Sequence, residues 1–425
     1  MNVTIATFGS RGDTQPQLAL ALGLRRAGHR PTLVAASDLV GWIRSYGVDV
    51  IPTHFSAQEF MRRPDIAALM KGRNLLRQLR TVRRVMDTLV GGVLDDTMRA
   101  AQGTDFLILP ITECGGVDIA TRLRIPAAYV SLSPMYPPTR AFPSFFLPFR
   151  FPSGGRINRL TYAAFMRLAW PALGGSFNRW RTGRFGLPPW RSMRDMLDAR
   201  RGFQTPWLYA YSPCVLPKPP DWEDIHHVTG YWFLDPPSGW KPSADLARFL
   251  ENGPPPVYIG FGSMSDKDPE RQALTAVKAL KLAGQRGVIS TGWGGVARLE
   301  ASADALFVDD VPHGWLFPKM SAIVHHGGAG TTGAGLRAGV PSLIAPFAGD
   351  QYGWADRVVK LGVGPKMENA KTLTAEGLAG AIRRAAGDAD LRARAAALGG
   401  RIRNEDGVAR AVEVIERHAA EFDRR

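Results

Sequence analysis

Cysteine is nearly absent. Cys114 and Cys214 are the only two in 425 residues, too few for a disulfide framework or a zinc knuckle. Both thiols are expected to be free in a reducing cytosol, and neither has an evident role. Long apolar runs are missing as well, so no segment is expected to cross a bilayer. The amino terminus enters a strand pattern at once, from Asn2 to Phe8, without a charged leader, apolar core or cleavage site. No secretory signal is expected. Acidic residues are also in short supply, with 53 Lys and Arg against 38 Asp and Glu and a formal net charge of +15. The deficit is local: the arginines from Arg140 to Arg201 are opposed in that stretch only by Asp195 and Asp198.

Arg73, Arg77, Arg80 and Arg84 recur at helical spacing beside Leu75, Leu76, Leu79, Val82 and Met86. This basic amphipathic helix is either a solvated face of an Arg-rich chain or a contact with an anionic membrane surface. No nucleic-acid motif accompanies it, so no nucleic-acid partner is expected. The remaining composition, 45% hydrophobic and 21% charged, is that of a soluble globular protein. A chain of this length implies two domains.

Short apolar strands alternate with helical patterns, which predicts parallel α/β architecture. In the first half the strands read Val3 to Phe8, Pro31 to Ala36, Val48 to Thr53, Phe106 to Pro110 and Ala127 to Ser131. Helices are expected from Gln15 to Ala27, Leu39 to Tyr46 and Val117 to Leu123. From Pro134 to Trp207 the pattern turns to Pro, Arg and aromatics, as in a loop-and-helix insertion that shapes a pocket. The Pro-rich stretch from Val215 to Pro237 reads as a linker. The expected division is therefore 1–216 for the first domain, with its 134–207 insertion, 217–240 for the linker and 241–406 for the second domain. The tail from 407 to 425 is an amphipathic helix.

The most informative stretch runs from Ile323 to Trp354. Its segment His326-Gly-Gly-Ala-Gly-Thr-Thr332 follows an apolar strand and opens a helix. Three glycines let a diphosphate approach the backbone, and the helix start offers free N–H groups and partial positive charge. On spacing alone this is either a phosphate cradle or a plain structural turn. Asp13, after the first strand, reads locally as a helix N-cap or as a carboxylate placed for proton abstraction.

Four passages in order along the chain settle a resemblance. They are Gly9 to Pro16 (GSRGDTQP), Gly260 to Met264 (GFGSM), Val311 to Phe317 (VPHGWLF) and the cradle. The chain resembles family 1 glycosyltransferases of the GT-B fold, in the branch of the sterol 3β-glucosyltransferases and bacterial antibiotic glycosyltransferases. The resemblance implies two Rossmann-like, doubly wound domains with a cleft between them, and a last helix that joins the first domain. It implies an inverting, metal-independent transfer of a hexose, preferably glucose from UDP-glucose, to a hydroxyl of a sterol, triterpenoid or polyketide aglycone.

Residue by residue, it makes Asp13 the general base. Arg11 is a phosphate contact or a support for its turn. On the donor side it implies Ser263, His326, Gly328, Gly330, Thr331 and Thr332 at the diphosphate, Val311 at the base, and Asp350 with Gln351 at the sugar hydroxyls, although Asp350 also reads as an N-cap. Met135, Tyr136, Phe142, Phe145 and Phe146 stand in a run similar to the sterol enzymes' acceptor loop, continued by Phe149 and Phe151. They form either an acceptor wall or the insertion's own small core. Plant members carry a Glu eight residues after the motif histidine; Ala334 stands there, which leaves UDP and dTDP sugars both open as co-substrates. No cofactor or metal is expected, and Asp388-Ala389-Asp390 reads as capping or surface charge. A nucleotide-sugar epimerase of the same fold and a non-catalytic lipid-surface protein are the rival readings. The expected location is cytoplasmic, with peripheral contact at the inner face of the membrane left open by the basic helix.

Overall fold

A computed structural model describes residues 1–66, 75–147, 154–198, 204–262, 268–292, 296–300 and 302–424. Ser263, Arg73, Phe149, Arg150, Phe151, Arg200 and Arg201 lie outside the described residues. Two parallel sheets organise the chain, one in each half. The first has seven strands in the order β3-β2-β1-β4-β5-β6-β7 and the second five in the order β10-β9-β8-β11-β12.

In the first sheet β1 is Asn2–Ala6, β2 Arg30–Ala35, β3 Asp49–Pro52, β4 Phe106–Pro110, β5 Ala127–Ser131, β6 Trp207–Tyr209 and β7 His226–Val228. Strands β4 and β5 are buried along their whole length, so they read as continuous apolar runs rather than as alternations. The second sheet contains β8 Val257–Gly260, β9 Gly287–Ser290, β10 Ala305–Val308, β11 Ala322–His325 and β12 Ser342–Ile344. Within the first sheet the order of strand addition reverses between β1 and β4; in the second it reverses between β8 and β11. The crevice at the carboxyl ends of strands where the order reverses is where α/β proteins bind ligands.

Several expected boundaries move. The first helix begins at Arg11 rather than Gln15 and ends at Arg26, because Ser10 caps it; Pro16, its sixth residue, leaves the Gly12 carbonyl without a helical N–H partner. The span read as one helix from Leu39 to Tyr46 is a short 3₁₀ turn, Ser37–Leu39, followed by helix Val40–Arg44. Part of the segment expected as linker, 217–240, belongs to the first sheet: His226–Val228 is β7, paired in parallel with β6. Three residues carry too little pattern to announce a strand. The insertion holds one long helix, Gly155–Phe185, packed along helix Leu75–Ala100.

The last helix, Gly407–Phe422, lies on helix Arg11–Arg26 in the first unit. The fit is close, since a Cβ on Gly23 would come within 2.1 Å of the Val408 side chain. Its buried face, including Val408, Ala411, Val412 and Ile415, completes the core beneath β1.

Candidate functional site

A cavity of about 1080 Å³ opens between the two sheets and is lined from both. Each wall is made by the loops at the carboxyl ends of the central strands. On the first side, β1 ends at Ala6 and the chain turns through Gly9 into helix Arg11–Arg26. Ser10 is the N-cap, so the capping role belongs to Ser10 and Asp13 takes the third helical position. There it closes the turn: Asp13 Oδ2 accepts the Ser10 backbone N–H at 2.8 Å and the Ser10 hydroxyl at 3.1 Å. Both bonds run from Ser10 to the same oxygen, so they fix the carboxylate without consuming its second oxygen. Gly9 has φ +120°, and a Cβ there would lie 2.4 Å from Asp13 Oδ2. Only glycine fits against this carboxyl.

Asp13 is open to the cleft yet enclosed by protein from both sides, and that enclosure raises its pKa against the lowering effect of the Ser10 hydrogen bonds. A raised carboxyl is the stronger base. Arg11, one position into the same helix, turns to Asp310 in the second unit and stacks over Trp42 at 4.7 Å. It also lines the cleft.

On the second side, β11 delivers His325 and His326. His325 is fully buried and its Nδ1 accepts the Gly327 N–H at 3.1 Å, which makes it a packing residue. His326 lines the cleft. Its Nδ1 is buried without a hydrogen-bond partner among the described residues, and burial pushes the imidazole down to about 4. It is therefore a neutral ring in the wall of the cleft, and Nε2 is the ring nitrogen that lies beside the glycine turn. A Cβ on Gly328 would stand 2.6 Å from His326 Nε2, so the glycine is what lets ring and backbone share the site. Helix Ala329–Ala338 starts there, and Gly328, Gly330 and Thr331 line the cavity. Free N–H groups at such a start, with the helix dipole behind them, suit an anion. Thr332 does not line the cavity; it is buried and its hydroxyl donates to Gly328 O at 2.9 Å. Its part is to close the first turn.

Asp350 and Gln351 follow β12. Asp350 stands at the N-cap position of helix Gln351–Lys360 but makes no capping bond with its side chain. Its Oδ2 accepts from the Trp354 indole N–H at 3.1 Å, with Trp354 wholly buried beneath it. Burial first, and then the nearby charge of Asp13, push Asp350 up to about 6. Two carboxylates, one from each wall, thus face the same space. The Gln351 carbonyl oxygen accepts the backbone N–H groups of Phe347 and Ala348 at 2.7 and 3.2 Å. Only its amide N–H groups remain for a ligand. Val311 lines the cleft.

The expected acceptor residues divide. Met135 and Phe146 line the cleft. Tyr136 lies beneath it, against Trp207, with ring centroids 5.3 Å apart. Phe142 packs on Phe145, and Phe145, only 4% exposed, meets Trp354 edge-on at 5.2 Å. Tyr136 and Phe145 are core, and partly buried Phe142 packs against it, where a ligand wall was expected. The reason is volume: the space below the insertion and above helix Gln351–Lys360 must be filled, and aromatics fill it. Ser133 is the residue that reading from sequence passed over. It lines the cavity, and its side chain, from the first wall, works against the rise in the Asp350 pKa. Its only signal is position, just past the end of a strand that neighbours the reversal point.

Among the described residues no cluster of His, Cys, Asp and Glu could hold a metal ion. Asp388, read as a cap, accepts the Leu391 N–H at 2.9 Å at the start of helix Ala389–Arg403. No described helix is long and apolar enough to cross a membrane.

Comparison with known proteins bears out the resemblance. Residues 298–415 match the family described as erythromycin biosynthesis protein CIII-like, C-terminal domain. Over 429 residues the chain is 37% identical to a sterol 3-beta-glucosyltransferase of Neosartorya fischeri, which covers 98% of this chain and 29% of that protein. A namesake from Cryptococcus neoformans is 35% identical over 441 residues, covering 98% and 27%. The chain thus spans less than a third of the length of these relatives. Among solved structures, the glycotransferase of kitacinnamycin superposes with a TM-score of 0.72 at 20% identity, covering 98% of this chain and 99% of that one. The calicheamicin glycosyltransferase gives 0.70 at 18% identity, covering 99% and 98%. Glycosyltransferase VinC, solved with dTDP, gives 0.66 at 18%, covering 99% and 100%. The fold is the GT-B fold, with two Rossmann-like domains across a cleft.

Proposed function

We propose that the chain is a glycosyltransferase that moves a hexose from a nucleoside-diphosphate sugar to a hydroxyl of a hydrophobic acceptor. The observation that carries this reading is the pairing of unlike walls in one cleft. A carboxylate of raised pKa, Asp13, stands on one side, and on the other a helix start beside His326, a neutral ring whose Nδ1 has no hydrogen-bond partner among the described residues. The sterol glucosyltransferase relatives and the dTDP complex of a structural neighbour support the chemical class of both partners. Within that class we take glucose from UDP-glucose as the donor and a sterol, triterpenoid or polyketide aglycone as the acceptor.

In the reaction the acceptor oxygen forms a bond to the anomeric carbon as the bond from that carbon to the diphosphate breaks. The hydroxyl proton passes to Asp13, and the electron pair leaves with the nucleoside diphosphate. His326, Gly328, Gly330 and Thr331 receive the leaving charge at the helix start. Asp350, with the amide of Gln351, orients the sugar hydroxyls, and Ser263, outside the described residues, is assigned to phosphate by motif position. Met135 and Phe146 face the acceptor. A single displacement inverts the anomeric centre, and no step in it calls for a metal. We place the protein in the cytoplasm, at the inner face of a membrane when the acceptor is a lipid.

The test is a matrix of UDP- and dTDP-sugars against sterols, macrolides and flavonoids, with product mass detection and determination of anomeric configuration. Transfer from at least one donor with inversion is the expected result. Nucleotide binding without transfer in any combination would remove the main reading, and a retained configuration would remove the single displacement.

A further inference from the structure

The long helix Gly155–Phe185 carries six arginines and no acidic residue in 31 positions. Its two halves use that charge differently. In the carboxyl-terminal half Arg179 pairs with Asp87, Arg181 with Asp118 and Arg184 with Asp95. In the amino-terminal half Arg156 and Arg167 are exposed and form no ion pair among the described residues. Beside them lies an apolar stripe: Ile157 is 49% exposed, Leu160 65% and Leu168 55%, with Ala164 exposed between. At about 100° per residue these four fall within roughly 80° of arc, and Arg156 and Arg167 border one edge of it. The other exposed large aliphatics are dispersed, two of them, Leu274 and Leu282, on a helix of the second unit.

We propose that this face is a docking surface for an anionic lipid bilayer. Leu160, Leu168 and Ile157 enter the boundary between headgroups and acyl chains, and Arg156 and Arg167 meet the phosphates. Charge selects this occupant over a second copy of the chain. An isologous contact would lay the helix against itself and bring unpaired arginines together with no carboxylate on either side. Helix Leu75–Ala100, packed alongside, adds exposed Arg80, Arg83 and Arg84. The surface also adjoins the cleft: Phe165 of the same helix stacks on Phe146 at 4.7 Å, and Phe146 lines the cavity. Resting on the transfer reading, this contiguity lets a bilayer-dissolved acceptor pass from the membrane to the wall of the site.

The test is flotation with phosphatidylcholine vesicles, alone and with about one-quarter phosphatidylglycerol. The protein is expected to bind the anionic vesicles at least about tenfold more tightly, and less so as salt rises. The double variant Leu160→Asp/Leu168→Asp is expected to lose about tenfold or more of this binding. It should keep its unfolding midpoint and its transfer to a water-soluble acceptor, since both side chains are exposed. Arg156→Gln/Arg167→Gln should narrow the preference for anionic over neutral vesicles. Binding that ignores vesicle charge, or that survives the leucine substitutions, would overturn the proposal. So would a concentration-dependent dimer abolished by those substitutions, which would make the occupant a second chain. Vesicle binding does not require turnover, and Asp13→Asn should leave it intact, so loss of the transfer reading would show separately.

Discussion

The two walls of the cleft are built in opposite ways. The wall we assign to the donor is local. Strand β11, a glycine turn and the start of helix Ala329–Ala338 follow one another without interruption, and the groups that suit a diphosphate are mostly backbone. The wall we assign to the acceptor is assembled from afar, with Asp13 after β1, Ser133 after β5 and Phe146 inside the insertion. A backbone anion site needs only glycine and a helix start, whereas an apolar wall needs side chains whose orientation is decided by packing elsewhere.

The sharpest way to test that division is to remove the chemistry from one wall and ask whether the other notices. Asp13→Asn keeps the size of the side chain and its bond to the Ser10 N–H but cannot take a proton. The turnover rate is expected to fall by about 10²–10⁴-fold, while UDP-sugar affinity, measured by calorimetry, is retained or improved because a like charge near Asp350 is gone. Donor affinity that collapsed with the rate would show that the walls are not separate in function.

That contrast also explains what could be read from the sequence. The strand, glycine turn and helix start of the proposed donor cradle were legible because all three sit within one short stretch. The parallel α/β class followed from alternating patterns. The place of Ser133 in the same cavity as Asp350 was not legible, since nothing local distinguishes that serine from its neighbours. Nor could the order of letters separate Phe145 from Phe146. They are adjacent and chemically identical, yet one is packed on Trp354 and the other lines the cleft. β7 escaped for a related reason, its three residues being recruited by β6 rather than by their own pattern.

The adjacent phenylalanines give the next test. Phe145→Ala opens a hole between the insertion and Trp354 and is expected to cost about 3–5 kcal/mol of stability, read as a lowered denaturant midpoint. Phe146→Ala should leave the midpoint nearly unchanged and raise the acceptor KM by about tenfold, the scale of one apolar contact with ligand. The reverse assignment of effects would place the acceptor wall on the buried aromatics after all.

A smaller effect, set by pH, comes from the carboxylate on the wall opposite Asp13. Asp350 is raised to about 6 from an ordinary 3.8, so it is protonated in the folded protein over a range where the unfolded chain has already released the proton. Its contribution to stability is fully present below about 3.8 and is lost as pH rises through about 6. Binding runs the other way, because accepting hydrogen bonds from sugar hydroxyls is strongest for the carboxylate. The donor KM is therefore expected to rise as pH falls below about 6, approaching tenfold per pH unit at the limit. In Asp13→Asn this limb should shift to lower pH, since one of the causes of the raised value is removed. A limb in the same place would mean that burial alone sets it.

The smallest effect is expected at the hinge of the comparison, where Arg11 on the acceptor wall reaches Asp310 on the donor wall. Asp310 is 69% exposed on its side chain, and such pairs contribute about 0–1 kcal/mol. Arg11→Ala should therefore change the donor KM by no more than about fivefold. If Arg11 instead leaves Asp310 to grip a bound diphosphate, the loss should be nearer about tenfold to a hundredfold, as for a charge-assisted contact of about 1.5–3 kcal/mol. A double-mutant cycle separates the two. Where the ion pair is the whole of its role, Arg11→Ala has no further effect in an Asp310→Ala background. Where Arg11 serves the donor, the substitution is as costly there as in the parent protein, because freeing the guanidinium from Asp310 leaves it more available to phosphate. The exposed, cross-cleft setting of the pair favours the first outcome, with Arg11 as a latch between walls whose binding work is done by other residues.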